Sequence, residues 1–216
     1  DVTRWQEWEI PWSEIDLILA GSPCQSLSIT QSKTRQGLNG KSKLFFVFVD
    51  ILNYVTDLNP NVFFLFENVA SMSSESYVAI SRSFGESGYL INSENFSAQD
   101  RPRIYWTNIT LPSTNYKQKV NGIDLILPLL PSNKTVLGDI LQQNVPEKYF
   151  YNCGYDFHGF NKTVCATLHI NGHDILKRVN SPYAKCQTLT CVSGGHQQKK
   201  VLIDGRCRKL TPIEYE

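Results

Sequence analysis

Apolar residues fall into two rhythms along the first half of the chain. Residues 15–20 form a short, nearly continuous apolar run, the pattern of a strand buried on both faces. Residues 43–58, "KLFFVFVDILNYVTDL", are too long for one strand. Leu44, Phe48, Ile51 or Leu52, Val55 and Leu58 recur at helical spacing, and Asn59-Pro60 ends the helix. "VFFLF", residues 62–66, predicts a second buried strand with Glu67-Asn68 at its carboxyl end. A helix is expected over 76–87, stopped by Gly88. "YLINSENFSA" and "RIYWTNI" read as a hairpin with its turn at Ala98–Pro102.

Strand, helix and buried strand in succession predict a parallel α/β sheet with right-handed crossovers. Ligands of such sheets bind beyond the carboxyl ends of the strands, so Cys24 and Glu67 fall on one edge. Residues 22–41 are too many for a plain connection and predict a lid. From about residue 111 the texture changes. Pro112, Pro128, Pro131 and Pro146 interrupt the chain, and "TVCATLHI" and "CQTLTCV" are β-prone runs among glycines. This predicts a smaller, irregular, β-rich lobe.

The 216 residues carry a net charge of +1, which does not by itself indicate a polyanionic partner. The distribution says more. Lys33, Arg35, Lys41 and Lys43 cluster without an acid, and Lys199, Lys200, Arg206, Arg208 and Lys209 cluster around Asp204 alone. Either run can be a solvated loop or a phosphate-facing surface. The six cysteines contain no C-x-x-C pair, which argues against structural zinc even though His169, His173 and His196 lie near Cys186 and Cys191. No apolar run approaches the ~20 residues of a membrane span, and the expectation is a soluble intracellular protein with free thiols.

The polar residues at the sheet edge carry the chemistry. They are Pro23-Cys24-Gln25, Glu67-Asn68-Val69, and Gln99-Asp100-Arg101-Pro102-Arg103. In this order, at strand ends, they resemble the DNA cytosine-5 methyltransferases, which carry a Pro-Cys loop, Glu-Asn-Val and Gln-x-Arg-x-Arg. "DVT" at the start resembles the family's acidic strand end near the cofactor adenine. "KLFFVF" resembles its next helix, and "CQTLTCVSGG" with "RKLTPIE" the end of its target-recognition region and the motif after it. "PCQ" is the form usual in bacterial and phage members, while "LFENV" and "ISR" are also similar to the eukaryotic de novo enzymes.

The resemblance implies an α/β fold, a partial Rossmann-like S-adenosylmethionine-dependent sheet. It divides the chain into a catalytic part over 1–110, target recognition over 111–205, and a return to the catalytic domain over 206–216. Cys24 is the implied nucleophile, with Glu67, Asn68, Arg101 and Arg103 around it. Asp1, Ser22, Pro23 and Leu44 face S-adenosylmethionine; Gln25, Ser28, Arg35 and Thr188 face double-stranded DNA. No metal is implied, and a monomer in a bacterial or phage-infected cytoplasm, at the nucleoid, is expected. By the resemblance, the family's Gly-rich methionine loop would fall before Asp1 and its closing motif after Glu216, both outside these 216 residues. A piece of a longer chain, with poor cofactor binding and no activity of its own, is therefore expected. A cysteine hydrolase built on Cys24 would need a histidine at the same edge, and His158, His169, His173 and His196 all fall in the irregular lobe. A catalytically silent DNA-binding relative would have a broken motif, whereas Cys24, Glu67, Arg101 and Arg103 are all present.

Overall fold

A computed structural model describes residues 1–23, 44–190 and 196–215, with the side chains of 113–116 set aside. Chain contacts divide it into two compact units, one of 1–91 with 102–129, the other of 92–101 with 130–216.

The first unit opens with 3-10 turns over Val2–Glu7 and Trp12–Glu14. Strand β1 (Leu17–Gly21), helix α1 (Leu44–Leu58), strand β2 (Phe63–Val69) and helix α2 (Ser74–Phe84) follow. Next in chain order come β3 (Tyr89–Asn92), β4 (Gln99–Asp100), which belongs to the second unit, β5 (Pro102–Thr107), β6 (Ser113–Val120) and β7 (Ile123–Pro128). Six of these strands form one sheet in the order β1-β2-β5-β3-β7-β6. The predicted α1 forms because its apolar stripe has a sheet face to cover: Phe45, Phe48, Ile51, Leu52 and Val55 are buried. Phe45 and Phe48 meet Phe66 of β2 at ring-centroid distances of 5.4 and 5.3 Å, and Trp106 of β5 joins them from the far side of Phe66 at 5.9 Å.

Three expectations need correction. The sheet is mixed: β1 runs parallel to β2, and β5 returns antiparallel to β2, lying between β2 and β3. The strand expected to be buried on both faces, β1, lies at the end of the sheet among the described residues, with Leu17 48% and Leu19 66% exposed beside Phe63 at 49%. An apolar run in an edge strand looks identical to one in a central strand; only the neighbours differ. Helix α2 starts earlier, capped by the Ser73 hydroxyl accepting from Ser76 N at 3.3 Å. It stops at Gly85, which takes the left-handed C-cap conformation at φ 69°. Gly88 is needed for its size instead, since a Cβ there would stand 2.4 Å from Ile104 Cγ2. The missing side chain lets the backbone enter β3 against Ile104, Trp106 and Tyr77.

In the second unit, β8 (Tyr155–Phe157), β9 (Val164–Leu168), a short helix α3 (Asp174–Lys177), β10 (Arg178–Asn180), β11 (Cys186–Gln187), β12 (Lys200–Ile203) and β13 (Arg206–Lys209) follow in turn. Its sheet has the order β13-β12-β10-β9-β8 around Cys165, Ala166, Leu168, Val179, Leu202 and Cys207. The segment 92–101 belongs here because β4 pairs in parallel with β11, Gln99 opposite Cys186 and Asp100 opposite Gln187. Contacts place the β6–β7 hairpin with the first unit, since Ile126 of β7 pairs with Tyr89 of β3. No helix among the described residues is long and apolar enough to cross a membrane.

Candidate active site

Register brings Gly21, the last residue of β1, opposite Glu67 of β2. On the other side β5 places Tyr105 opposite Glu67 and Arg103 opposite Val69. The Glu67 carboxylate reaches diagonally to Arg103, with Oε1 2.7 Å from Nε. The Arg103 side chain is 14% exposed and Glu67 35%, so the pair is only partly open to water. Arg103 Nη1 also donates to the Pro102 carbonyl at 2.9 Å, which fixes the guanidinium plane. A Cβ on Gly21 would lie 3.3 Å from Glu67 Oε2, so glycine leaves that oxygen its place.

Asn68 points the other way along the pleat and is buried, 1% exposed. Its Nδ2 donates to Ser22 Oγ at 3.1 Å and to the Ser22 carbonyl at 3.3 Å, while its Oδ1 accepts from Val69 N at 2.8 Å. A buried amide with three bonds anchors the backbone one residue before Pro23. Cys24 follows directly but, with Gln25, Ser28 and Arg35, lies outside the described residues.

A cavity of about 390 Å³ opens at the carboxyl end of β1, within the ~300–1,000 Å³ typical of small-molecule sites. Val2, Trp8, Trp12, Ser22, Pro23 and Leu44 are among its walls. Three of the four expected cofactor residues thus share one cavity. Asp1 is not among the walls; its carboxylate accepts from Thr3 N at 3.0 Å and caps the first turn beside Val2. The two tryptophans are functional candidates that sequence reasoning missed. "WEIPW" holds the signal, an aromatic pair around a proline, and the structure stacks Trp8 and Trp12 at 6.2 Å and 12°.

Arg101 and Thr188 are placed in the second unit. The Arg101 backbone N–H donates to Asn92 Oδ1 at 2.8 Å and its Nη1 to the Leu189 carbonyl at 3.3 Å. Thr188 Oγ1 donates to the Asp100 carbonyl at 2.8 Å. Asn92, which also donates to Asp100 Oδ1 at 2.9 Å, is a positioning residue with no signal in the sequence. Two buried cysteines of this unit, Cys186 and Cys207, are poor nucleophiles. Burial pushes the Cys186 thiol up to about 11 and Cys207 up to about 12, so both stay protonated at neutral pH.

An ion-paired glutamate, an anchored Ser-Pro backbone leading to a cysteine, and an apolar cavity lie together at the carboxyl ends of β1 and β2. Residues 1–216 match the C-5 cytosine-specific DNA methylase family. The chain belongs to that family. Two phage relatives are similar in sequence. The orphan methyltransferase M.Rho11sI of Bacillus phage rho11s is 34% identical over 116 residues, 49% of this chain and 22% of that protein. The orphan methyltransferase M.SPRI of Bacillus phage SPR is 28% identical over 184 residues, 70% of this chain and 40% of that protein. The matches therefore span less than half the length of these relatives. A crystal structure from E. coli, of a DNA modification methyltransferase encoded within a prophage, covers 99% of this chain and 72% of its own at a TM-score of 0.51. At 14% identity that likeness concerns the fold, a methylase α/β fold. In this family member Glu67, Asn68 and Arg103 lie together at the carboxyl end of β2, Glu67 paired with Arg103 and Asn68 bonded to Ser22.

Proposed function

We propose that this chain carries the chemistry of DNA cytosine-5 methylation, acting on a cytosine flipped out of duplex DNA. The observation that carries it is the strand-end constellation: Glu67 paired with Arg103 at 2.7 Å, next to the Ser22–Asn68 anchor that leads into Pro23-Cys24.

Cytosine C5 is a weak nucleophile until the ring is opened to addition. The Cys24 thiolate adds to C6, the C5=C6 electron pair moves to C5, and C5 takes a methyl group from a sulfonium sulfur, which would leave as a neutral thioether. Loss of the C5 proton then re-forms the double bond and expels the thiolate. A thiolate suits both steps because it attacks well and leaves again. Charge building on the ring is relieved by a proton that the Glu67 carboxyl carries to N3 and takes back when the thiolate leaves, and Arg103 holds O2 while keeping that carboxyl oriented. Asn68 acts through the backbone as a positioning residue. Arg101 and Thr188 support the Gln99–Arg101 segment. Flipping the target costs on the order of a few kcal/mol, offset by phosphate contacts from basic residues such as Arg35 and by Gln25 and Ser28 near the emptied stack.

The cavity walls suit an adenosine-bearing cofactor: Val2, Trp8 and Trp12 offer flat apolar surface and Ser22 a polar edge. When bound, S-adenosylmethionine supplies an electrophilic methyl group. Val2, Pro23 and Leu44 would hold its ring and Ser22 its polar end, and the same walls exclude water from the methyl-bearing side.

Bisulfite sequencing of host DNA after expression of the full-length gene tests the reading. Protection of cytosine within one recurrent sequence is expected; complete conversion sinks it. Target choice is proposed to lie in residues 111–205, where Asn171, His173, Lys177, Arg178 and His196 are the first side chains to scan. Each good base contact supplies ~1–3 kcal/mol of discrimination, so a few suffice. A chimera carrying 111–205 from a relative with another target is expected to methylate the donor's site. An active chimera that keeps the original site would place recognition elsewhere.

A further inference from the structure

The second unit holds a larger cavity, about 560 Å³, that the methylation chemistry leaves unused. Lys148, Tyr149, Gln198, Lys209, Pro212 and Tyr215 are among its walls, and no acidic side chain is among the described lining residues. Behind it lies Tyr151, with Lys209 Nζ 5.5 Å and Lys200 Nζ 5.8 Å from its ring centre. Lys200 is buried, 2% exposed, and donates to the carbonyls of His196 at 2.6 Å and Gln198 at 2.8 Å.

Lys148, Lys199, Lys200 and Lys209 have no carboxylate partner among the described residues. Of the neighbouring acids, Glu147 pairs with Arg206 and Glu214 with Arg208, and Asp204, in the turn between β12 and β13, makes no ion pair with any of these lysines among the described residues. Burial first, and then the neighbouring Lys199 and Lys209 charges, push the Lys200 ammonium down to about 8. Like charges held together without a counter-ion are relieved by a bound anion. Gln198 Oε1, His196 Nδ1 and Tyr151 Oη are also buried without a hydrogen-bond partner among the described residues. Native proteins hold few such groups, and one of these three, Gln198, lines the cavity. The volume far exceeds a bare phosphate, and the aromatic and prolyl wall suits a planar ring joined to the anion.

We propose that this cavity takes one nucleotide of the DNA strand, its phosphate at Lys148 and Lys209 and its sugar and base against Tyr149, Pro212 and Tyr215. The inference rests on the methylase reading and adds a DNA contact made by residues of the second unit that the chemistry does not use. The cations and the aromatic wall make separable contributions. Neutralising lysines alters counter-ion release; removing a ring alters affinity alone.

Fluorescence anisotropy of a labelled duplex, titrated at several salt concentrations with the full-length protein, tests the proposal. K148Q/K209Q is expected to lower the slope of log affinity against log salt by about 0.9, one phosphate contact. Tyr149→Ala is expected to weaken binding roughly fivefold or more at unchanged slope. Lys162→Gln, an exposed lysine elsewhere in the unit, is expected to leave the slope as it was. Lys148 is exposed, so K148Q alone, checked by its melting curve, covers the case in which the double variant misfolds. An unchanged slope in folded variants overturns the proposal. So does an unchanged slope with loss of thymidine monophosphate binding in calorimetry, which would reassign the cavity to a free nucleotide. Cys24-dependent trapping on 5-fluorocytosine DNA is run in parallel. Trapping that persists while the slope stays fixed fails this inference alone; wild type that neither traps nor binds duplex fails the methylase reading.

Discussion

Cys24→Ser is expected to lower methyl transfer by on the order of 10⁴–10⁶-fold, the scale of removing a covalent nucleophile, while duplex binding persists. The hydroxyl is nearly the same size as the thiol, so the loop keeps its shape, but it is a far weaker nucleophile at neutral pH. The neighbouring anchor does not involve the changed atom: Ser22 stays bonded to Asn68 at 3.1 Å, and Glu67 to Arg103 at 2.7 Å. The loss therefore falls on chemistry and not on assembly of the pocket. The measurement is transfer of a labelled methyl group to duplex DNA, beside covalent trapping on 5-fluorocytosine DNA. Trapping that survives Cys24→Ala would remove Cys24 from the mechanism. Cys186 and Cys207 could not replace it, since burial keeps both protonated.

Much of the site was legible because it is local. Glu67-Asn68 follows an apolar run directly, and Pro23 follows another, so strand ends and polar residues were readable together. The pairing of Glu67 with Arg103 is not local. It depends on β5 returning antiparallel beside β2, and the apolar pattern of "RIYWTNI" carries no direction. The same blindness made β1 look like a central strand: Leu17 and Leu19 have the composition of buried residues, and exposure is set by which strands lie alongside. Glycines were the other ambiguity. Gly85 and Gly88 both punctuate the end of α2, and only backbone conformation separates the cap at φ 69° from the close-packing residue three positions later. In the second unit Asn92 through two side-chain bonds and Thr188 through one clamp the segment 99–101, and such bonds leave no periodic trace.

Glu214→Gln is expected to destabilise the second unit by about 3–5 kcal/mol, the cost of leaving a buried charge without its partner. Arg208 is 1% exposed and Glu214 3%. The guanidinium donates through Nη1 to Oε2 at 2.7 Å and through Nη2 to Oε1 at 2.6 Å, a two-pronged pair. The same carboxylate accepts from Thr211 N and Gln142 N, each at 2.7 Å, and so ties β13 to the turn after it and to residue 142. Burial pushes the Glu214 carboxyl up, but the Arg208 bonds and the two backbone N–H groups outweigh it, and the net shift is downward. A folded-state value below the unfolded one contributes stability at all pH above the unfolded value. That contribution fades as pH falls through the depressed folded value, so wild type should lose stability in acid. The Gln variant should lack this part of the acid dependence. Urea unfolding across that range measures both effects, and a Glu214→Gln loss under about 1 kcal/mol would contradict the buried-pair account. Arg208→Met with Glu214→Leu is expected to recover only part of the loss. It removes the stranded charge, yet Thr211 N and Gln142 N then lose their acceptor, at ~1–3 kcal/mol each. The pair is held in place by those backbone groups as much as by its own attraction, which makes it a fastener between segments and not merely two matched charges.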